Sequence, residues 1–349
     1  MYFGEQSSGK STIAKILSFC RWAEKQTIVY KKKPNLQTSF VQFFRLSKEY
    51  FSEDTRIRYE SNASIIEIDD STEFTIHVKD KDTFYNRKQL FIPAERNFVS
   101  AIPNLGRYNE TNDVVMNFVY DWFTAKNQLE KIPSILKLGV GFQYEKELGR
   151  DMVLLHNQKA IPLSCASSGL QSLIPLYAVF LNFLTPAHTI SFDLLEALHA
   201  EMSTSKVKNL DLLLQVVNFH FSDYIIEEPE QNLFPQTQRD LVYYLLKRIQ
   251  HKEFAHRLCI TTHSPYVLHA INNCLMGSRI KDAQDIQHEN FPSFSSWVDS
   301  KEVGIWQLQN GDVESLQEEK TGLLKHSLLG ENMKVITDEF YEMLEYLDE

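Results

Sequence analysis

Residues Gly4-Glu5-Gln6-Ser7-Ser8-Gly9-Lys10-Ser11-Thr12 constrain this chain more than any other stretch: two glycines frame a short polar loop that runs into a lysine and two hydroxyls. The spacing is G-x-x-x-x-G-K-S. Gly4 and Gly9 let the backbone curl until several N–H groups face one anion, with Gln6, Ser7 and Ser8 in the arc. Lys10 adds a point charge at the centre of that cradle. Ser11 offers a hydroxyl to a divalent cation, and Thr12 extends the hydroxyl pair into the helix that follows. Ile13, Ile16, Leu17 and Cys20 recur at helical spacing through Trp22, so the positive end of a helix points at the same anion. A chance Gly/Ser turn is the bland alternative. The apolar strand end at residues 1–3 and the helix after the loop argue against it.

The chain has 349 residues, which at about 150 per domain is one large domain or two. Hydrophobic residues make up 43%, with 23 Phe and 15 Tyr, enough for a packed core and unlike a disordered chain. The net charge of −10 gives no global pull toward nucleic acid or an anionic membrane, and leaves only a local basic face as a route to either. The single basic run, Lys31-Lys32-Lys33, is short, precedes Pro34 and reads as a solvated loop. Cys20, Cys165, Cys259 and Cys274 form no C-x-x-C pair, so neither zinc nor redox chemistry is indicated. Sparse cysteine and an anion loop fit a cytoplasmic protein. No signal peptide is expected before the loop. The apolar stretch Leu173–Leu184 is interrupted by Pro175 and Asn182 and is too short to span a bilayer.

Local patterns predict the following order. A strand end at 1–3 leads to a helix over 9–30 and a second helix over Thr38–Ser52, with Phe40, Phe43, Phe44 and Leu46. Strand-like alternation follows over Ile57–Ile68 and Glu73–Lys79, with a turn at Asp69-Asp70, then a strand at Gln89–Pro93. Residues 97–150 read as mostly helical, including Val114–Phe123 and Leu129–Leu138. Met152–His156 and Lys159–Leu163 flank Asn157-Gln158 as a hairpin. Helices are expected over Leu170–Leu184, 187–215 and Gln236–Ile249, and buried strands at Phe219–Ile226 and Leu258–Thr262. A buried strand, a helix and a second buried strand predict a parallel α/β sheet with crossover helices. Gly304–Leu308 and Val313–Leu316 read as a small hairpin, and Ile336–Leu347 as an acidic helix.

A second chemical centre lies far downstream. Tyr224-Ile225-Ile226-Glu227-Glu228-Pro229-Glu230 is an apolar strand ending in paired acids. Beside a phosphate loop, Glu227 can hold Mg²⁺ through water and Glu228 can polarise an attacking water, while Pro229 stops the strand. Alone, the acids would be a solvated turn. Thr261-Thr262-His263-Ser264-Pro265 ends another strand; its histidine can contact a γ-phosphate or be an ordinary hydrogen-bonded side chain. Ser167-Ser168-Gly169-Leu170-Gln171 opens a helix, where Ser168 and Gly169 suit an anion and, taken alone, amount to a good N-cap.

Taken together, G-x-x-x-x-G-K-S, S-S-G-x-Q, an apolar run before E-E-P-E, and T-T-H-S-P resemble an ABC-class P-loop ATPase, closest to the SMC/RecF/OLD-like branch in which E-E-P-E stands for the transporter D-E-P. The resemblance spans Gly4 to Pro265. It implies a P-loop NTPase head with a mixed, largely parallel central sheet and helical insertions, binding ATP and Mg²⁺. It implies Walker A roles for Gly4, Gln6, Ser7, Ser8, Gly9, Lys10, Ser11 and Thr12, with Ser11 and Glu227 on the metal. Glu228 matches the catalytic glutamate and His263 the switch histidine, and Ser168 and Gly169 match a signature segment that completes the site of the opposite protomer. Phe91-Ile92-Pro93-Ala94-Glu95-Arg96 resembles the P-x-E-R strand end of defence-type members, with Arg96 either facing the nucleotide or holding the lobe.

The chain departs from that pattern in three places. The family's strand pair before the phosphate loop, which helps seat adenine, has no counterpart ahead of Gly4, so truncation or a partner element is expected there. Gln37, Gln42 and Gln143 all remain open for the Q-loop. The stretch between Gln171 and Glu227 is longer than in a transporter domain, and with 97–150 is where partner specificity is expected. The organisation implied is 1–96 and 151–275 as the two parts of the head, 97–150 as a helical insertion or lid, and 276–349 as a hairpin and helix appendage. The function implied is an ATP-gated homodimer, an ATP sandwich controlling a separate effector protein, as in bacterial antiviral defence. The alternatives are a RecF/SMC-like DNA-repair ATPase touching DNA directly, a nucleotide-binding scaffold with negligible turnover, and, weakest, a transporter ATPase. No intrinsic nuclease is expected after Pro265.

Overall fold

A computed structural model describes residues 1–32, 35–69, 73–102, 113–156, 159–184, 221–250, 255–283 and 287–325. In chain order the principal elements are β1 (Tyr2–Gly4), α1 (Lys10–Ile28), α2 (Leu36–Phe43), β2 (Ile57–Glu60), β3 (Ser64–Asp69), β4 (Glu73–Val78), β5 (Arg87–Ile92), α3 (Phe98–Ala101) and α4 (Val114–Leu129). They continue with β6 (Lys131–Ile132), β7 (Gly141–Glu145), β8 (Arg150–Leu154), β9 (Ala160–Pro162), α5 (Ser168–Phe183), β10 (Phe221–Glu227), α6 (Pro235–Ile249), β11 (Ala255–Thr262), α7 (Pro265–Ile280), β12 (Trp306–Gln309) and β13 (Asp312–Ser315). The fold class is α/β, with parallel central strands, as the buried strand–helix–strand pattern predicts. Among the described residues no helix is long and apolar enough to cross a membrane.

The chain divides into two units. The first comprises Met1–Lys10, Leu233–Arg248 and Thr261–Glu349. Its strand order is β13-β12-β1-β11, the last strand contributing Thr261 and Thr262. β1 is parallel to both neighbours: Tyr2 and Phe3 pair with Thr261 and Thr262, and Tyr2, Phe3 and Gly4 pair with Trp306, Gln307 and Leu308. β12 and β13 form the expected antiparallel hairpin. Its first strand, β12, flanks β1 in the sheet. The helices bury one face each, Leu241, Val242, Leu245 and Leu246 on α6 and Val267, Leu268, Ile271 and Leu275 on α7, at helical spacing.

The second unit comprises Ser11–Asn232 and Ile249–Ile260. Its central strands run β11-β10-β5, and β10 lies parallel to β5 over six residues, from Phe221 opposite Arg87 to Ile226 opposite Ile92. Every residue of β10 is buried, as a strand covered on both faces requires. Two antiparallel sheets accompany it, β2-β3-β4 and β6-β7-β8-β9. An aromatic cluster forms the core beside α1: Phe40, fully buried, meets Phe19 edge-on at 5.0 Å and lies within 5.2 Å of Phe44 and of Phe51.

Three expectations need correction at element level. The helix expected over 38–52 ends at Phe43, because Arg45 takes a left-handed φ of 56°, and only a single 3-10 turn, Lys48–Tyr50, follows. That reversal swings Tyr50 and Phe51 back onto Phe40, so burial of aromatic surface outweighs helix continuation. The run Ile57–Ile68 is two strands, broken where the Ser61 hydroxyl accepts from the amides of Ala63 and Ser64. Residues 130–150 are not helical but hold β6, β7 and the start of β8, with Leu136 at φ 49° and Gly139 at φ 65° turning the chain. The hairpin β8–β9 is as expected, pairing Leu154 with Ala160. The helices expected at 187–215 and Ile336–Leu347 lie outside the described residues.

Candidate functional site

In the first unit, β1 delivers the chain into the loop at Gly4. A Cβ on Gly4 would run into the Leu308 carbonyl oxygen of β12 and lie 2.7 Å from Ser8 Oγ, so only glycine fits. Ser7 at φ 62° and Gly9 at φ 96° put two left-handed residues in the arc, which curls the loop back on itself. Gln6 and Ser7 are exposed, and Ser8 and Gly9 half-buried. Lys10 is 5% exposed, and its Nζ donates to the carbonyls of Gly4 at 2.8 Å and Glu5 at 2.5 Å, with Ser8 Oγ at 3.4 Å. The ammonium is thus held at the centre of the curl. The parallel register pairs Phe3 with Thr262, so Gly4 and half-buried His263 leave their strands at the same end of the sheet. Ser264 caps α7, its Oγ accepting from Tyr266 N at 3.2 Å and donating to Gln238 Oε1 at 2.5 Å. That cap fixes the turn that carries His263.

In the second unit, Ser11 and Thr12 stand in the first turn of α1. The Thr12 hydroxyl is 2.7 Å from the Tyr50 hydroxyl, which anchors the helix start to the aromatic core. Glu227, the last residue of β10, is 3% exposed. Burial pushes its carboxyl above the usual range, and Lys15 and the Ser11 hydroxyl oppose that shift. One oxygen accepts from Ala94 N at 3.4 Å, whereas Oε1 has no hydrogen-bond partner among the described residues. A buried carboxylate oxygen without a partner is costly, and together with a serine hydroxyl it is a hard-oxygen donor set suited to Mg²⁺. No cluster of three His, Cys, Asp or Glu side chains that could hold a metal occurs among the described residues. Glu228 is half-buried and adopts φ 43°, turning its side chain away from the strand direction before Pro229.

Arg96, which sequence reading left between two roles, holds this turn. It is 1% exposed, and it donates through Nη1 to Glu227 O at 2.9 Å and through Nη2 to Glu228 O at 2.7 Å. Burial lowers its pKa to about 10, with Glu230, Glu228, Glu227 and Glu95 opposing, so the guanidinium stays charged at neutral pH. It faces backbone carbonyls of the acid turn. The signal for it was present in the strand-end arginine of F-I-P-A-E-R. Nothing local marked Ala94 N, because its role depends on β5 lying beside β10.

Ser168 is the exposed first residue of α5 and Gly169 the half-buried second. The simple N-cap reading does not hold: Ser167 occupies the cap position and its side chain makes no capping bond. Instead Gln171 Nε2 reaches back to the carbonyls of Ser164 at 3.0 Å and Ala166 at 2.9 Å. Of the glutamines open for the Q-loop, Gln42 lines a cavity of about 500 Å³ with Ser18, Phe43, Gln89 and Asn117, and Gln143 lies on β7.

No family model matches the chain, and no curated protein matches it. Among solved structures the chain is similar to the SMC head domain from Thermotoga maritima, at 13% identity and a TM-score of 0.36, over 91% of this chain and 89% of that one.

Proposed function

We propose that this chain is an ABC-type ATPase that binds ATP with Mg²⁺ and hydrolyses it in an ATP-bridged homodimer. The observation that carries the reading is the buried carboxylate of Glu227, with one oxygen lacking a protein partner, beside the Ser11 hydroxyl one residue after Lys10. In this reading the arc from Gly4 to Gly9 cradles the phosphates and Lys10 exchanges its loop carbonyls for β- and γ-phosphate oxygens. Ser11 and Glu227 would hold Mg²⁺, which supplies charge neutralisation on those phosphates when bound. Glu228 takes the proton of the attacking water as its oxygen bonds to the γ-phosphorus and the bond to the ADP oxygen breaks. His263 hydrogen-bonds the γ-phosphate, and Ser168 and Gly169 meet the nucleotide of the partner protomer.

The net charge of −10 favours control of a separate effector, in the manner of antiviral defence ATPases, over direct engagement of DNA. A titration with a fluorescent ATP analogue tests the core of the reading. Wild type should bind in the presence of Mg²⁺, and Lys10→Ala should lose at least about tenfold in affinity, the loss of one charge-assisted contact worth ~1.5–3 kcal/mol. Equal affinity of the two proteins would mean that this loop is not the site.

A further inference from the structure

The segment that follows β5 ties together two parts of the second unit that are far apart in sequence. Besides Glu227 and Glu228, Arg96 donates through Nη1 to Pro93 O at 3.4 Å and through Nε to Ser172 O at 3.3 Å. One guanidinium therefore spans the acid turn and the second turn of α5. Two more bonds reinforce the link. Pro175, inside α5, has no N–H for the carbonyl of Gln171, and Ser100 Oγ donates to that carbonyl instead at 2.9 Å. Asn232 Nδ2, just past the acid turn, donates to Ser172 Oγ at 3.1 Å. Ser172 is fully buried, so these bonds have no water competing for them.

The acid turn also relies on this support. Glu228 lies at φ 43°, a left-handed conformation that a residue bearing a side chain disfavours. Its carbonyl is held from two sides, by Arg96 Nη2 and by Gln231 N at 3.0 Å. A planar, rigid fork bonded to three segments at once transmits a shift of one to the others, which a flexible ammonium does not.

We propose that Arg96 is a positioning residue through which the N-terminal end of α5, where Ser168 stands, governs the placement of Glu227 and Glu228. Engagement of Ser168 by a ligand is thereby felt at the acid turn. The consequence for hydrolysis rests on the ATPase reading above; the mechanical link does not.

Hydrogen exchange with mass spectrometry separates the two. Peptides covering 168–183 and 221–232 are followed in wild type and Ser168→Arg, then in the same pair carrying Arg96→Lys. Ser168→Arg should change exchange at 228–232 several-fold when Arg96 is present and less than twofold in the Arg96→Lys background, with 221–226 protected throughout. The same change in both backgrounds, or no change with Arg96 present, overturns the proposal. So does loss of protection over 221–226, which would mark Arg96 as merely structural. If Arg96→Lys loses its helical circular dichroism, Arg96→Gln, which keeps a planar donor, takes its place. With ATP, Arg96→Lys should lower kcat about tenfold or more while leaving nucleotide affinity within twofold, the pattern of a displaced base. Absence of any ATPase activity in wild type would remove the proposed function and leave the exchange result to stand or fall by itself.

Discussion

At the scale of residues, the candidate site is built from groups held under constraint. Lys10 is buried on two carbonyls, Glu227 keeps an oxygen without a protein partner, and Glu228 sits in a backbone region that its side chain disfavours. Each of the two motifs thus carries a strained or half-satisfied group, a pattern that clusters at functional positions. Glu228→Gln keeps the volume and removes the base, so it should bind ATP as wild type does while kcat falls ~10²–10⁴-fold. Phosphate release in steady state and a binding titration on the same preparation check both halves, and wild-type turnover would exclude Glu228 as the base. Gly4→Ala makes a different demand, because the added methyl meets backbone, the Leu308 carbonyl, which cannot swing aside. A loss of about 1–3 kcal/mol in urea denaturation is expected, the usual cost of forcing an extra carbon into a packed position.

At the scale of elements, legibility followed how local each signal is. β1, the loop and α1 could be read because spacing and periodicity lie within one window. The same holds for α5, for α6 with its buried flanking strands, and for the β12–β13 hairpin. Residues 129–150 misled because Leu129, Ile132, Ile135 and Leu138 recur every third residue and mimic a helical stripe. Ile132 and Ile135 are indeed buried, but from a short strand and a turn, and the alternation of Val140, Phe142 and Tyr144 with other residues was the overlooked strand signal. The pairing of β12 with β1 could not be read at all, since no local pattern names a partner three hundred residues away. The strand beside β1 on that side comes from later in the same chain. Leu308 on β12 is 4% exposed, and its Cδ2 lies 3.8 Å from where a Cβ on Gly9 would stand, so its side chain backs the loop. Leu308→Ala should cost ~2–5 kcal/mol and weaken ATP affinity as well. Phe40→Ala, which opens the aromatic core of the second unit, should cost ~3–5 kcal/mol. Paired denaturation curves and ATP titrations would separate a strand that supports the loop from one that only adds stability.

At the scale of the whole molecule, the question is what a single chain lacks. Ser168 and Gly169 start a helix whose first amides receive no side-chain cap, and Ser168 is exposed, so this segment has hydrogen-bonding capacity to offer a ligand from outside. Under the proposed function that ligand is nucleotide held by the Lys10 loop of a second copy. A nucleotide bridging two chains stabilises the dimer by mass action, about 2.7 kcal/mol at a hundredfold excess over its Kd. Hydrolysis removes the bridge, so the dimer should be visible only when turnover is blocked. Glu228→Gln is therefore expected to run as a monomer or loose dimer without ATP and to shift to a tight dimer with ATP and Mg²⁺ in multi-angle light scattering. Chelating Mg²⁺ should reverse the shift if Ser11 and Glu227 hold the ion. Adding Ser168→Arg should abolish the shift while leaving affinity for ATP within about threefold, because the bulky cation fills the space for the partner's phosphate and leaves the chain's own loop intact. A double variant that still tightens with ATP would show that α5 does not act across the dimer, and the opening of α5 would then be a helix start and nothing more.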